Sequence, residues 1–262
     1  MTYKAIIYTR SDHVAHLTLN RPEADNAINW QLAQEMEEVC CKINQDDNIC
    51  VVIITGAGSK AFCGGGELKR LVQAGSTVSN SHPSALAGMK AVTSVASIDR
   101  PVIAAINGDA IGVGLEVALG CDIRLASQQA RFGFPEVASG LIPMCGGTQR
   151  LPRIIGKAKA LELIFTAETI SAEEALGMGL VGQVIAQQSL ASEAETLAKN
   201  VASKAPVALR YIKEAVNKGL DLTLEQGLRL EADLYFLLHT TADRTEGIKA
   251  FLEKRPPSFK GQ

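Results

Sequence analysis

The 262-residue chain is long enough for one full hydrophobic core, or one core with an appended helical piece. Its 26 Lys and Arg against 28 Asp and Glu leave a formal net charge of −2, which lacks the basic footprint of a dedicated nucleic-acid binder. Apolar residues at 47% exclude bulk disorder, and apolar runs such as Val51–Ile54 and Val102–Ile106 fall far short of the ~18 residues of a membrane-spanning helix.

The segments Tyr3–Thr9 and His13–Asn20 read as two strands, with Arg10, Ser11 and Asp12 as the turn between them. No basic region, apolar run and small-residue cleavage site stands before Tyr3, so a cytoplasmic setting is expected. A helical pattern from about Asn29 to Asn44 puts Leu32, Met36, Val39 and Ile43 on one face. Cys50–Thr55 is a continuous β-branched run, as in a strand buried on both faces. Gly75–Ser84, rich in Ser, Gly and Asn, reads as a mobile loop before another helix.

The unit then recurs. Pro101–Asn107 is a second buried strand, followed by Gly108, Gly112 and Gly114 and a helix through Leu119. Cys121–Ala126 and Ala130–Phe134 read as short strands, and a helix opens near Gly147. Strands that end in glycine turns and feed helices argue an α/β core. From about Ser189 the pattern is helical: Ser189–Ser203, Pro206–Lys218, Leu222–His239 and Asp243–Lys254. The expected organisation is a core over residues 1–190 and a C-terminal helical region over residues 191–262.

Several motifs carry no chemistry. Gly56-Ala57-Gly58-Ser59-Lys60-Ala61 fits a GxGxxA fingerprint, but a further glycine cluster interrupts the helix it requires, and the acidic residue expected ~20 positions on is missing. There is no GxxxxGK phosphate loop and no GxSxG elbow. The six cysteines show no CxxC spacing and suit buried, reduced thiols. His13 and His16, read as three apart on one strand, face opposite ways, and His82 and His239 have no partners at ligand spacing. No metal site is expected.

Two carboxylates remain in apolar company. Glu116 is the only charge in Ile111–Leu119, and Glu136 follows Phe132-Gly133-Phe134-Pro135. Burial raises a carboxyl pKa and makes such groups candidate acids and bases, although a single glutamate of this kind often only caps a helix. Beside them, Gly66 and Val113 stand where strand-to-helix turns present backbone N–H groups. Two such groups converging on one carbonyl oxygen form an oxyanion hole. Either turn alone needs only backbone freedom; together with the paired glutamates they point to acid/base chemistry on a carbonyl compound.

These residues resemble the enoyl-CoA hydratase/isomerase (crotonase) family along essentially the whole chain. The resemblance is carried by Asn20-Arg21-Pro22-Glu23, Asn26-Ala27-Ile28-Asn29, Lys60-Ala61-Phe62-Cys63-Gly64-Gly65-Gly66-Glu67-Leu68-Lys69 and Pro101–Gly108. It continues through Cys121-Asp122-Ile123, Phe132–Glu136, Gly146-Gly147-Thr148-Gln149-Arg150-Leu151 and Phe251-Leu252-Glu253-Lys254-Arg255. It implies a spiral of ββα units with a C-terminal helical region that builds homotrimers, often paired into hexamers. It further implies an acyl-CoA thioester substrate and no metal or redox cofactor, while the near-balanced charge and the short apolar runs argue against a nucleic-acid or membrane partner. By position Gly66 and Val113 would supply the oxyanion-hole amides. Glu136 would deliver the α-proton, and Glu116 would orient and activate the water that adds across the double bond. Lys60, Ala61, Phe62, Gly64, Leu68, Met144, Tyr235 and Lys254 match positions near CoA or substrate, Tyr235 and Lys254 being able to reach it from a neighbouring subunit.

Some positions depart from the hydratase pattern. Val113 stands where glycine is usual, Met144-Cys145 where a Gly-Ala type pair is usual, and Gly66-Glu67 where Ala-Asp is usual. The Val113 side chain would narrow the acyl pocket, so a short or unusual acyl group is expected. The alternatives are another reaction of the family, such as enoyl-CoA isomerisation or hydration of a specialised acyl-CoA, and a binding protein that keeps the fold.

Overall fold

The computed structural model describes residues 3–66 and 78–262. It opens with an antiparallel pair, β1 (Ile6–Ser11) and β2 (Val14–Leu19), joined at Asp12 and His13. The turn therefore lies one residue later than the sequence indicates. Arg10 and Ser11 stay in the ladder, and Asp12 takes φ of 52°, a left-handed conformation that Asp tolerates better than most residues. His13 belongs to this turn, with Nδ1 2.9 Å from the Asn48 carbonyl, while His16 Nε2 pairs with Glu195 at 2.8 Å.

Helix α1 (Trp30–Gln45) starts where Asn29 caps it, accepting the Leu32 amide at 2.8 Å. Its buried stripe contains Leu32, Met36, Val39 and Ile43, the face anticipated from periodicity. The next strands fall into pairs: β3 (Val51–Gly56) and β4 (Ala61–Cys63), β5 (Val102–Ile106) and β6 (Asp109–Ile111), β7 (Ile123–Ser127) and β8 (Arg131–Gly133). The first of each pair joins a six-stranded sheet of order β1-β2-β3-β5-β7-β10, where β10 is Gln183–Ile185. The second joins a four-stranded sheet of order β4-β6-β8-β9, where β9 is Thr169–Ser171.

Each pair leads into helix. α2 (Val78–Ala96) precedes β5, α3 (Val113–Leu119) follows β6, and a 3-10 turn at Pro135–Ser139 follows β8. Then come α4 (Gly147–Ile155), α5 (Lys157–Thr166) and α6 (Ala172–Gly177). This succession of ββα units is the expected α/β spiral. The segment Val78–Ser84, read above as loop, belongs to α2. Packing of this helix along α1 outweighs the weak helix propensity of its Ser and Asn residues.

Strand periodicity divides the core. Val52 and Ile54 of β3, Ala104 and Ile106 of β5 and Ala126 of β7 face the larger apolar cluster, which also holds the buried residues of α1, α2 and α3. Val51, Ile53, Ile103, Ala105 and Leu125 face the opposite way, where α7 (Leu190–Ala202) covers them with Leu190, Ala194 and Ala198. Both faces are buried, which is why β3 and β5 read as unbroken apolar runs.

Helices α8 (Pro206–Gly219), α9 (Leu224–Leu238) and α10 (Ala242–Leu252) complete the chain. Lys213 of α8 is tied to the core, its ammonium 2.7 Å from Asp122 Oδ2 and 2.9 Å from the Arg100 carbonyl. These helices leave large apolar side chains exposed, among them Ile212, Leu224, Leu228, Phe236 and Phe251. Among the described residues no helix is long and apolar enough to cross a membrane. The six cysteines are unpaired and, apart from Cys41, buried.

Candidate active site

Three strand ends of the small sheet converge on one place. β4 runs into Gly64, Gly65 and Gly66; β6 ends at Ile111, and Gly112 links it to α3; β8 leads to the turn that carries Glu136. Gly66 forms a bridge with Ile28, whose amide bonds the Gly65 carbonyl at 2.8 Å. A β-carbon placed on Gly66 would lie 3.8 Å from a Val113 methyl, so the two expected amide donors come from adjacent backbone. Val113 is the first residue of α3, where a helix leaves its N–H groups without intrahelical partners.

This approach is possible because of small residues. A side chain on Gly114 would overlap the Cys63 carbonyl, so glycine there lets α3 abut β4. Buried Asn26 fastens the same region: it accepts the Arg21 amide at 2.9 Å and donates to the Ala57 and Ala61 carbonyls at 3.0 and 2.8 Å. Asn107 does likewise one strand over, accepting the Gly56 amide at 2.9 Å and donating to the Gly58 carbonyl at 2.8 Å.

Glu116 points from the first turn of α3 into the interior and is 1% exposed. Its Oε1 accepts the amides of Cys145 at 2.8 Å and Gly147 at 2.7 Å. Burial pushes its carboxyl up from the ordinary value, while those two N–H groups and the nearby Arg150 guanidinium pull the other way. Among the described residues Glu136 has no such amide pair. Burial, reinforced by the Glu116 charge, pushes it up to about 7 against one lowering contribution, its own backbone amide. Each glutamate keeps its Oε2 buried without a hydrogen-bond partner among the described residues.

In the sequence Cys145 stood out only as part of a pair that departs from the hydratase pattern, and Gly147 and Arg150 only as members of a glycine-rich motif. Backbone donors carry no residue-type pattern, so their role emerges from geometry. Arg150 completes the loop by donating to the Cys145 carbonyl at 3.2 Å. Cys145 itself is a neutral thiol, pushed up to about 12 by burial and by the adjoining carboxylates.

The other expected site residues are more scattered. Lys60 is exposed and pairs with Asp25 at 2.8 Å, and Asp25 also accepts the Gly64 amide through its backbone carbonyl, so the three form one exposed lip. Ala61 and Phe62 are buried in β4, and only their backbone can meet a ligand. Leu68 lies outside the described residues. Met144 is exposed beside Cys145. Tyr235 is exposed on α9, packed edge-on to His239, and Lys254 lies just past α10 with φ of 55°. Among the described residues neither hydrogen-bonds to the glutamate pair. The GxGxxA segment runs from the end of β3 into β4 with no helix, which removes the dinucleotide reading.

Residues 9–262 match the model of the family described as enoyl-CoA hydratase/isomerase. The short-chain-enoyl-CoA hydratase of Clostridium acetobutylicum is 39% identical, with 97% of each chain aligned. The crotonyl-CoA hydratase of Syntrophomonas wolfei is also 39% identical, over 99% of each chain. In three dimensions the enoyl-CoA hydratase of Bacillus anthracis superposes with a TM-score of 0.95 at 40% identity, covering 99% of this chain and all of the other. The chain belongs to the enoyl-CoA hydratase/isomerase family of enzymes.

Proposed function

We propose that the protein adds water across the double bond of a 2-enoyl-CoA thioester, giving the 3-hydroxyacyl-CoA. The observation that carries this reading is the unequal environment of two neighbouring carboxyls. Glu116 is clamped by two amides, and Glu136, lacking that clamp, holds its proton up to about pH 7. Paired groups with opposed environments divide into a base and an acid.

The amides of Gly66 and Val113 receive the thioester oxygen, on which negative charge builds as the double bond is attacked. Such a donor contributes on the order of 3 kcal/mol to the transition state. The free oxygens of Glu116 and Glu136 hold the water between them. Glu116 takes a proton from the water as its oxygen bonds the β-carbon, Glu136 gives its proton to the α-carbon, and exchange with solvent resets both groups. No electrons are transferred, and coenzyme A serves only as part of the substrate.

Lys60 and Gly64 on the exposed lip, with backbone from Ala61 and Phe62, contact the CoA portion in this reading, and Met144 lies near the substrate. Tyr235 and Lys254 reach it from a neighbouring copy. Support for assembly comes from the large apolar side chains that α8, α9 and α10 leave exposed, among them Leu224, Phe236 and Phe251. A cyclic trimer, alone or paired, is the expected particle, and light scattering after gel filtration measures it. Identification of the reaction product tests the chemistry: a 3-hydroxyacyl-CoA supports hydration, and a shifted double bond without added water assigns isomerisation instead.

A further inference from the structure

We propose that Gly88, Val113 and Cys145 form a partition that ends the acyl pocket after a short chain, and that thinning this partition joins the pocket to a cleft behind it. The inference rests on the hydratase reading above.

Gly88 lies in α2, facing the start of α3. A β-carbon on it would stand 2.9 Å from Cys145 Sγ and 3.1 and 3.3 Å from the two Val113 methyls. The α2 backbone, both methyls and the thiol are thus already in contact, and nothing larger than hydrogen fits between them. The partition also touches the reacting groups. Val113 carries one proposed oxyanion donor, and the Cys145 amide bonds Glu116 Oε1 at 2.8 Å. An acyl chain whose carbonyl sits on the Val113 amide meets this wall within a few carbons.

The wall is stiff and apolar. Val113 is β-branched and within a helix, which leaves its side chain one strongly preferred rotamer. Cys145 is buried, and its thiol keeps its proton at all physiological pH values. Neither side chain is arranged to swing aside for a longer substrate.

Beyond Cys145 opens a cleft of about 990 Å³, flanked by α2, the end of α3, α4 and α8. Met89, Thr93, Leu119, Gly120 and Ile212 line it together with Cys145. Gly120 is one helical turn beyond Glu116, so the cleft starts directly behind the site. Its size reaches the upper end of the about 300–1,000 Å³ typical of small-molecule pockets, ample for an alkyl tail. Cys145 is the residue common to the cleft and the partition.

The test compares kcat/KM for crotonyl-CoA, 2-octenoyl-CoA and 2-dodecenoyl-CoA in the wild type, Cys145→Ala and Val113→Ala, with thermal melts to establish folding. The wild type should favour crotonyl-CoA over 2-octenoyl-CoA, and each variant should raise the octenoyl-to-crotonyl ratio about tenfold or more, the scale of a methylene-sized change in an apolar pocket. Adding Met89→Trp, which fills the cleft from an exposed position, should cancel the gain of Cys145→Ala. An unchanged ratio in folded variants, or equal wild-type turnover of all three chains, overturns the partition. If the wild type hydrates none of them, the hydratase reading fails separately. The partition is then judged from the relative affinities of butyryl-CoA and octanoyl-CoA by calorimetry, where the same shift in ratio is expected and its absence refutes it.

Discussion

The α-carbon of Gly112 faces the Glu136 carboxyl so closely that a β-carbon there would collide with Oε1. Gly112 also has φ of 53° and ψ of −123°, a backbone conformation that side chains disfavour, and it immediately precedes the Val113 amide. One residue thus sets the place of the proposed acid and of a proposed oxyanion donor. Gly112→Ala is expected to lower kcat by about 100-fold or more, as for loss of an oxyanion donor or a misplaced acid. The strained backbone should add a destabilisation of about 1–3 kcal/mol. Steady-state kinetics beside a denaturant titration check both; near wild-type kcat would mean that Glu136 does not act from its observed position.

The pH dependence follows from Glu136. Its proton is held up to about pH 7, and the proposed step requires the protonated form. The hydration rate should therefore fall as pH rises through about 7. Glu136→Gln should remove that limb along with most of the activity.

Stability should follow the same group with a definite sign. The folded carboxyl at about 7 lies above its ordinary value of 4.5, so between these values the folded state binds more protons than the unfolded one. The contribution of Glu136 is fully present below about pH 4.5 and is lost as pH rises toward 7. In Glu136→Gln this loss is absent, so the variant should gain stability relative to wild type over that window, as read by urea titrations at several pH values.

Asn26 is a positioning residue for the first glycine turn. It is 1% exposed and satisfies one amide and two carbonyls. Asn26→Ala leaves those groups without their partner, at roughly 1–3 kcal/mol for each one that stays buried and unsatisfied. A loss of about 2–5 kcal/mol by denaturant titration is expected. A change below about 0.5 kcal/mol, the range of ordinary surface substitutions, would contradict the assigned role.

Elements with long periodic patterns were legible in the sequence for a physical reason. The α1 stripe and the two-sided burial of β3 and β5 each repeat a burial pattern over many residues, and the C-terminal helices are long stretches with little strand signal. Strands β4, β6, β8 and β9 are three residues each, too short to display a period of two, and so the second sheet was hidden apart from the segment around β8, which the flanking buried Ala130 and Phe134 extend. Glu116 and Glu136 stood out because a charge in apolar sequence is conspicuous. The amides of Cys145 and Gly147 were invisible as partners because every residue but proline has one. The partition is equally cryptic: Gly88, Val113 and Cys145 are distant in sequence and meet only once α2, α3 and the Met144–Gly147 loop have packed.

In the proposed reaction the two glutamates act as one acid/base unit on an enoyl thioester. The most direct measurement follows the loss of enoyl-thioester absorbance with crotonyl-CoA for wild type, Glu116→Gln and Glu136→Gln at pH 7. Rapid hydration by the wild type and a drop of about 10²–10⁴-fold in each variant, with folding and CoA binding retained, are expected. Hydration that survives either substitution at near wild-type rate, or a folded wild type that binds CoA and leaves crotonyl-CoA unchanged, would contradict the proposed reaction.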